Sequence, residues 1–249
     1  MLKEERQQVI LNEVELHNRI QLSDVAEKLD VSIDTIRRDV KELDSEKRLR
    51  KVHGGAVSLG FATYSPARNN VYALEKKVAI AEKALGLLKE NSVILIDGGT
   101  TCLELARLLP HGINITCFTL SLPVALELLN KPNVSTIFIG GELSKDSQIA
   151  IGANTIHNLS QIKVDYGFIG TGYVDAGYGL TEFDWAIVQT KKAVIKASKK
   201  TVLLSISEKL NSQHRYKTCD LSDIDVMVTE LQPDHDLLSN FKNQEIHLL

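Results

Sequence analysis

The stretch VSIDTIRRDVKELDSEKRLRKVHGGAV, residues 31–57, decides how the N-terminal part of this chain folds. Ser32 stands where a helix N-cap belongs, its hydroxyl able to accept one of the backbone N–H groups that a first helical turn leaves without a partner. Behind it Ile33, Ile36, Val40 and Leu43 recur at helical spacing and predict a buried stripe, which leaves Thr35, Arg37, Arg38 and Lys41 on or beside the outward face. Asp30 and Val31 form a turn, and before it Val25, Ala26 and Leu29 share one face of a short helix. A first helix carries Val9, Ile10, Val14 and Leu16 and ends before Asn18. Two short helices joined by a tight turn make a helix-turn-helix, a geometry that lays the second helix in a DNA major groove. Beyond it, Gly54-Gly55 suits a hairpin tip, where glycine permits the positive φ of a tight turn.

The charge of the whole chain, -3, argues weakly against a nucleic-acid partner. Its distribution argues for one: between Ile36 and His53 seven cations (Arg37, Arg38, Lys41, Lys47, Arg48, Arg50, Lys51) face four acids (Asp39, Glu42, Asp44, Glu46). Arginine can pair two-pronged with guanine, threonine can bond a base or touch a thymine methyl, and flanking cations can hold phosphates. Charge and period alone also fit a solvated helix face, and a turn residue without contacts also fits His53.

The agreement across the segment separates these readings. Val31, Ser32, Thr35, Ile36, Arg37, Arg38, Asp39, Leu43 and then Lys51 to Ala56 resemble the signature of the DeoR family of bacterial transcription regulators, V-S-x-x-T-I-R-R-D, a leucine, then R-x-H-G-G-A. The resemblance implies a winged helix-turn-helix that touches double-stranded operator DNA through Ser32, Thr35, Arg37, Arg38, Lys41, Arg50, Lys51 and His53. It departs at Lys47, where the family usually has glycine. A left-handed residue there is strained without glycine, so the turn into the wing is expected to differ slightly.

Residues 60–71 have little periodicity and contain Ser65-Pro66 and Asn69-Asn70, which marks a connection. The expected division is a DNA-binding domain over 1–58, a linker over 59–72 and a larger domain over 73–249. The larger part opens with a helix from Ala73 to about Leu88. Short apolar runs then alternate with helical stretches: Val93 to Ile96, a helix after Thr101, Ile115 to Thr119, a helix from Pro123 to Leu129, and Ser135 to Ile139. Further runs follow at Tyr166 to Ile169, Thr201 to Ile206 and Asp225 to Val228. Such alternation predicts an α/β fold with a mainly parallel sheet, and ligands of such sheets bind at the carboxyl ends of strands.

One such end reads Asp97-Gly98-Gly99-Thr100-Thr101 between a strand and a helix. Small residues there suit a phosphate cradle at a helix N-terminus, and they equally suit the geometry of a tight turn. The run resembles the D-x-G-T-T motif of the DeoR-type effector domain, and the resemblance continues through Ser121-Leu122-Pro123, Gly140-Gly141, Gly170 and Gly179-Leu180-Thr181 to Lys209. It implies a domain of ribose-5-phosphate isomerase-like fold that senses a phosphorylated sugar. Gly98, Gly99, Thr100 and Thr101 would hold the phosphate, with Asp97, Ser121, Gly141, Lys209 and Lys76 nearby. The departures are Leu120 for the usual asparagine, Ile206 for the usual aspartate, and an unusual run Glu182-Phe183-Asp184-Trp185. Trp185 is expected in the core, with stacking on a sugar as the alternative reading.

With 43% hydrophobic and 24% charged residues, 249 positions can bury a sizeable core. The N-terminus lacks the apolar run of a signal peptide and no stretch approaches the ~18–20 apolar residues of a membrane span, so a cytoplasmic protein without a membrane partner is expected. Cys102, Cys117 and Cys219 are too few and too far apart for a disulfide framework or a zinc site, and read as small buried residues. Neither a metal nor another cofactor is expected. Paired recognition helices imply a homo-oligomer, dimer or tetramer. The reading is a DNA-binding transcription regulator, a repressor of carbohydrate-metabolism genes relieved by a phosphorylated sugar, and not an enzyme. Two alternatives stand beside it. One is a sugar-phosphate isomerase-like enzyme with an accessory DNA-binding domain and Asp97 as base; the other is a regulator whose C-terminal domain only oligomerises.

Overall fold

A computed structural model describes residues 1–59, 71–242 and 244–249, so most of the expected linker over 59–72 lies outside the described residues. The chain divides into two compact units, Met1–Tyr72 and Ala73–Leu249.

The first unit runs α1 (Lys3–His17), β1 (Arg19–Gln21), α2 (Leu22–Lys28), α3 (Ile33–Ser45), β2 (Arg50–Val52) and β3 (Gly55–Val57). Ile10, Leu11 and Val14 of α1, Val25 and Ala26 of α2, and Ile36, Val40 and Leu43 of α3 meet in one apolar cluster with Ile20, Leu22, Leu49 and Ala56. The strands form an antiparallel sheet of order β1-β3-β2, with Ala56 opposite both Ile20 and Lys51. The hairpin turns over His53 and Gly54, and only Gly54 takes positive φ (71°). β1 escapes sequence reading because three residues carry no detectable period. Ile33 departs from the expected buried stripe: it is 45% exposed at the first turn of α3, while Asp39 is buried. Asp39 has a reason to be there, since Arg6 of α1 grips its carboxylate at 2.5 and 3.2 Å.

At the end of α3, Lys47 adopts φ +56°. Its N–H donates to the Asp44 carbonyl (3.0 Å) and that of Arg48 to the Leu43 carbonyl (2.9 Å), the paired bonds of a Schellman cap. The turn therefore keeps the left-handed form that glycine would favour, and lysine bears the strain. Placing a β-carbon in this region costs about 1–2 kcal/mol, partly offset because glycine loses more entropy on folding. Lys47→Gly is expected to stabilise the first unit by about 0.5–1 kcal/mol in urea melts followed by circular dichroism. A loss of stability would show that the left-handed turn carries no strain.

The second unit begins with α4 (Leu74–Leu85) and β4 (Val93–Ile96), followed by α5 (Thr100–Leu108), β5 (Ile115–Thr119), α6 (Leu122–Leu128) and β6 (Val134–Phe138). Then come β7 (Glu142–Leu143), β8 (Ala150–Ile151), α7 (Ala153–Ser160), β9 (Val164–Ile169), β10 (Tyr173–Asp175), β11 (Gly179–Glu182), α8 (Trp185–Ala197) and β12 (Ser198–Leu204). The chain closes with β13 (Tyr216–Cys219), β14 (Val226–Val228), α9 (Ser239–Lys242) and β15 (His247–Leu248). Seven strands form one wholly parallel sheet of order β15-β14-β12-β9-β4-β5-β6. The apolar runs of β4, β9 and β12 are those of strands covered on both faces, whereas β6 alternates toward solvent at the edge. The α/β class with an N-terminal winged helix-turn-helix is thus as the sequence predicts. From β4 the chain builds outward through β5 and β6, then returns to β4's other side with β9. The β4/β9 junction is therefore a topological switch point, where two loops leave in opposite directions and open a crevice.

A three-stranded antiparallel sheet of order β10-β11-β13 was not foreseen; its strands follow β9 and flank α8. All three cysteines are buried.

Candidate functional site

The first site is the outward face of α3 and the wing. Ser32 caps α3 by accepting the Thr35 N–H (3.2 Å), and the two hydroxyls lie 2.9 Å apart, which fixes the half-buried Thr35 at the start of the helix. Arg37, Arg38 and Lys41 are exposed, and Arg37 is held one turn back by Asp34. In the wing Arg50 is half-buried, while Lys51 and His53 are exposed. The Asp44 carboxylate accepts the Lys51 backbone N–H (2.9 Å) and ties β2 to the end of α3. Helix and wing thus present cations on a frame fixed by a cap, a Schellman turn and a side-chain bond. Ile33, which the periodicity assigned inward, adds an exposed apolar group to the first turn, the type of side chain that packs on a thymine methyl.

The second site lies at the switch point. Asp97-Gly98-Gly99 leaves β4, and Gly170-Thr171 leaves β9. The Asp97 N–H donates to the Phe168 carbonyl at 2.9 Å. Gly99 has φ +113° and begins α5 without a side-chain cap, so the first N–H groups of that helix point outward beside half-buried Thr100 and Thr101. An uncapped N-terminus of this kind carries positive potential suited to an anion. Gly98 is pressed against Ile149, whose Cγ2 a β-carbon would meet at 2.3 Å, with the Cβ of Ser121 at 3.8 Å. Ser121 itself is buried and caps α6, accepting the Val124 N–H at 3.4 Å. Gly141 serves packing: a β-carbon there would meet Thr155 Oγ1 at 2.0 Å.

The charged groups form two sets. In one, Lys76 Nζ pairs with Glu208 (2.5 Å) and Glu230 (3.2 Å). Burial opposes its charge, yet these carboxylates raise its pKa, so its charge is already matched locally. The other set was only partly foreseen. Lys191 of α8 is buried, donating to the Gly170 carbonyl (2.5 Å) and Glu182 (2.6 Å), with Asp97 Oδ2 at 3.7 Å. Burial opposes the Lys191 charge, but Glu182 and Asp97 outweigh it and raise its pKa; burial pushes the Asp97 carboxyl up, with Lys191 pulling against it. Lys191 was legible in principle, as a lysine three residues from each of Val188 and Val194 on a buried helix face.

Lys209 Nζ donates to the Thr171 carbonyl at 2.8 Å. Burial, helped by repulsion from Lys191 and resisted by Glu182, pushes its pKa down to about 8. Because the folded value lies below that of the unfolded chain, the unfolded state binds more protons between about pH 8 and 10.5. Stability from this group is therefore reduced below pH 8 and recovers as pH rises through that window. Comparing wild type with Lys209→Met is expected to show a difference of about 3 kcal/mol across that rise, since each pKa unit between about 8 and 10.5 carries ~1.36 kcal/mol. Parallel pH profiles would mean that the ammonium is not desolvated.

The unusual run before α8 is accounted for locally. Glu182 binds Lys191, Phe183 lies 5.3 Å from the His214 ring, and Asp184 caps α8 by accepting from Ala186 N (2.8 Å) and Ile187 N (3.3 Å). Trp185 corrects the expectation of a core residue: it is 58% exposed, edge-on to Tyr216 at 5.6 Å, because the cap places it on the outer side of the first turn. Leu120 and Ile206, the apolar replacements, are both buried.

Comparison with known proteins gives a consistent result along the chain. Residues 6–60 match the DeoR-like helix-turn-helix domain and residues 73–231 the DeoR C terminal sensor domain. The HTH-type transcriptional regulator GolR of Listeria innocua is 32% identical over 245 residues, 96% of this chain and 95% of that protein. The glycerol-3-phosphate regulon repressor of Escherichia coli is 30% identical over 250 residues, 100% of this chain and 99% of that protein. Among solved structures, ribose 5-phosphate isomerase A from Methanocaldococcus jannaschii aligns with a TM-score of 0.41 and 18% identity over 55% of this chain and 54% of that one. Among the described residues no helix is long and apolar enough to cross a membrane.

Proposed function

Because the chain belongs to the DeoR family of DNA-binding transcription regulators, we propose that it represses carbohydrate-metabolism genes and that a phosphorylated sugar releases it from a double-stranded operator. The observation that carries the sensing half is the uncapped N-terminus of α5 behind Gly98-Gly99, at the switch point of the parallel sheet. Gly98, Gly99, Thr100 and Thr101 hold the phosphate, and Ser121 and Gly141 shape the turn around it. Lys209 adds charge, Lys76 adds charge that Glu208 and Glu230 partly match, and Asp97 lies at the floor. On the DNA side Thr35, Arg37 and Arg38 read bases from the first turns of α3. Ser32 sets the helix start, and Lys41, Arg50, Lys51 and His53 hold phosphates.

The protein acts in the cytoplasm as a homo-oligomer, since paired recognition helices read paired half-sites. The sugar phosphate acts by binding unequally to the DNA-competent and released arrangements, the one way a ligand can shift such an equilibrium. The regulators that match along almost their whole length favour this reading over an isomerase with an accessory domain.

The test is an anisotropy titration of the full chain on DNA from its own upstream region, with and without a panel of sugar phosphates. Salt-dependent, sequence-selective binding that at least one sugar phosphate weakens tenfold or more is expected. Binding without sequence preference refutes the operator half of the reading. Selective binding that no sugar phosphate alters refutes the sensing half.

A further inference from the structure

Resting on the homo-oligomer of that reading, we infer that β6 (Val134–Phe138) is a contact surface between two copies of this chain, joined antiparallel about a twofold axis at Thr136. β6 closes one end of the seven-stranded sheet, and β15 closes the other. β15 is protected by its length of two residues. β6 has five, paired with β5 in unbroken register, and Val134-Ser135-Thr136-Ile137-Phe138 contains no charge, proline or bulge to keep another strand away. Ile137 is 41% exposed and Phe138 40%, on opposite faces of the strand. A bare apolar edge of this kind is an aggregation site unless something covers it.

The ladder with β5 decides which backbone groups are left for a partner. The Ile115 N–H donates to the Asn133 carbonyl (3.4 Å) and the Ile139 N–H to the Thr119 carbonyl (2.8 Å), so the odd-numbered residues of β6 bond to β5. Thr136 and Phe138 therefore turn their N–H and carbonyl groups outward. Val134 offers its carbonyl alone, since its N–H already donates to the Lys131 carbonyl (3.2 Å). A second copy of the strand, run antiparallel about Thr136, meets these groups in kind. The Thr136 N–H donates to the Thr136 carbonyl of the other copy, and the Phe138 N–H to its Val134 carbonyl. Side chains match in the same register: Phe138 lies beside Val134, an aromatic and β-branched pair, and Ile137 beside Ser135. Thr136 Oγ1 is shielded from solvent and has no hydrogen-bond partner among the described residues. On the axis it stands opposite its own copy, where rotation about χ1 lets one hydroxyl donate to the other. Pairing β6 with β15 would join unlike edges and build an open filament, whereas β6 with β6 closes as a dimer.

Sedimentation velocity of the full chain at micromolar concentration tests the edge with Ser135→Glu and Ile137→Lys. Both positions are exposed, so the variants should keep the wild-type circular dichroism spectrum. Twofold symmetry brings each new charge into the joint twice, opposite an uncharged residue and diagonal to its like. Either variant alone is therefore expected to sediment at about half the wild-type mass. In an equimolar mixture the carboxylate at 135 of one copy faces the ammonium at 137 of the other, and the wild-type mass should return. Wild-type mass in each variant alone overturns the edge and leaves the homo-oligomer standing. Half mass in each that the mixture does not restore overturns the pairing about Thr136. A wild-type chain that sediments as a monomer overturns the edge and the homo-oligomer together.

Discussion

Alanine at both Arg37 and Arg38 is expected to weaken binding to operator DNA by roughly 100-fold or more and to abolish most of its sequence preference. A two-pronged arginine contact to a base discriminates by about 1–3 kcal/mol, and two such losses combine to this scale even if only partly additive. Both side chains are exposed, and the Arg37 pairing with Asp34 is a surface contact within one helical turn, worth ~0–1 kcal/mol. The protein surrenders little to redirect Arg37 to DNA, and the double variant should fold as wild type does. The third member of the Arg37-Arg38-Asp39 run behaves differently. Asp39 is buried against Arg6, so its removal unsettles α1 against α3 and lowers stability before it touches specificity. Salt titrations separate the roles further. Lys41→Ala should lower affinity evenly across sequences and reduce the slope of log affinity against log salt by about 1. If the double arginine variant kept its preference for the upstream DNA over an unrelated duplex, α3 would not be the reading element.

Lys191→Met is the second large effect, and it falls on stability. The substitution keeps most of the side-chain volume but strips the ammonium from between Glu182 and Asp97 in a nearly closed environment, where side-chain exposures are 9%, 12% and 1%. Breaking a buried pair from one side leaves uncompensated charge and costs about 3–5 kcal/mol. The Gly170 carbonyl also loses its donor, which loosens the loop leaving β9. Trp185, the single tryptophan and the first residue of α8, supplies a fluorescence signal from the affected unit. Urea titration should show the midpoint of that unit falling steeply, and adding Glu182→Gln to Lys191→Met should restore part of the loss. A change under about 1 kcal/mol would mean that the cluster is solvated and does not hold the switch-point loops together.

Much of the architecture was legible because its determinants are local. The cap at Ser32, the stripe of Ile36, Val40 and Leu43, and the apolar runs of β4, β5 and β9 need only propensity and period, which a short window of sequence contains. The candidate DNA contacts follow from that stripe, since whatever is not buried on α3 must face outward. Ile33 shows the limit of the method: it satisfies the period but lies in the first turn, beyond the edge of the packed core, and only the three-dimensional boundary of that core exposes it. Trp185 fails for a related reason: it opens α8 beside the Asp184 cap on the side away from the packed core, and only the position of that core decides its exposure.

By itself, then, the sequence determined the helix-turn-helix with its outward cations, the parallel α/β class with its main strands, and the glycine-rich turn after β4, but neither β1 nor the antiparallel β10-β11-β13 sheet. Tertiary structure alone decided the order of strands, and with it the β4/β9 switch point. It also decided that Lys47 holds a left-handed turn without glycine and that Asp39 is a buried anchor. The meeting of Asp97, Glu182, Lys191 and Lys209 at the ends of β4 and β9 belongs here too. The physical reason is common to all of these. Burial, electrostatic pairing and backbone strain depend on groups brought together from distant parts of the chain, and no periodicity within one segment encodes which distant partner will arrive.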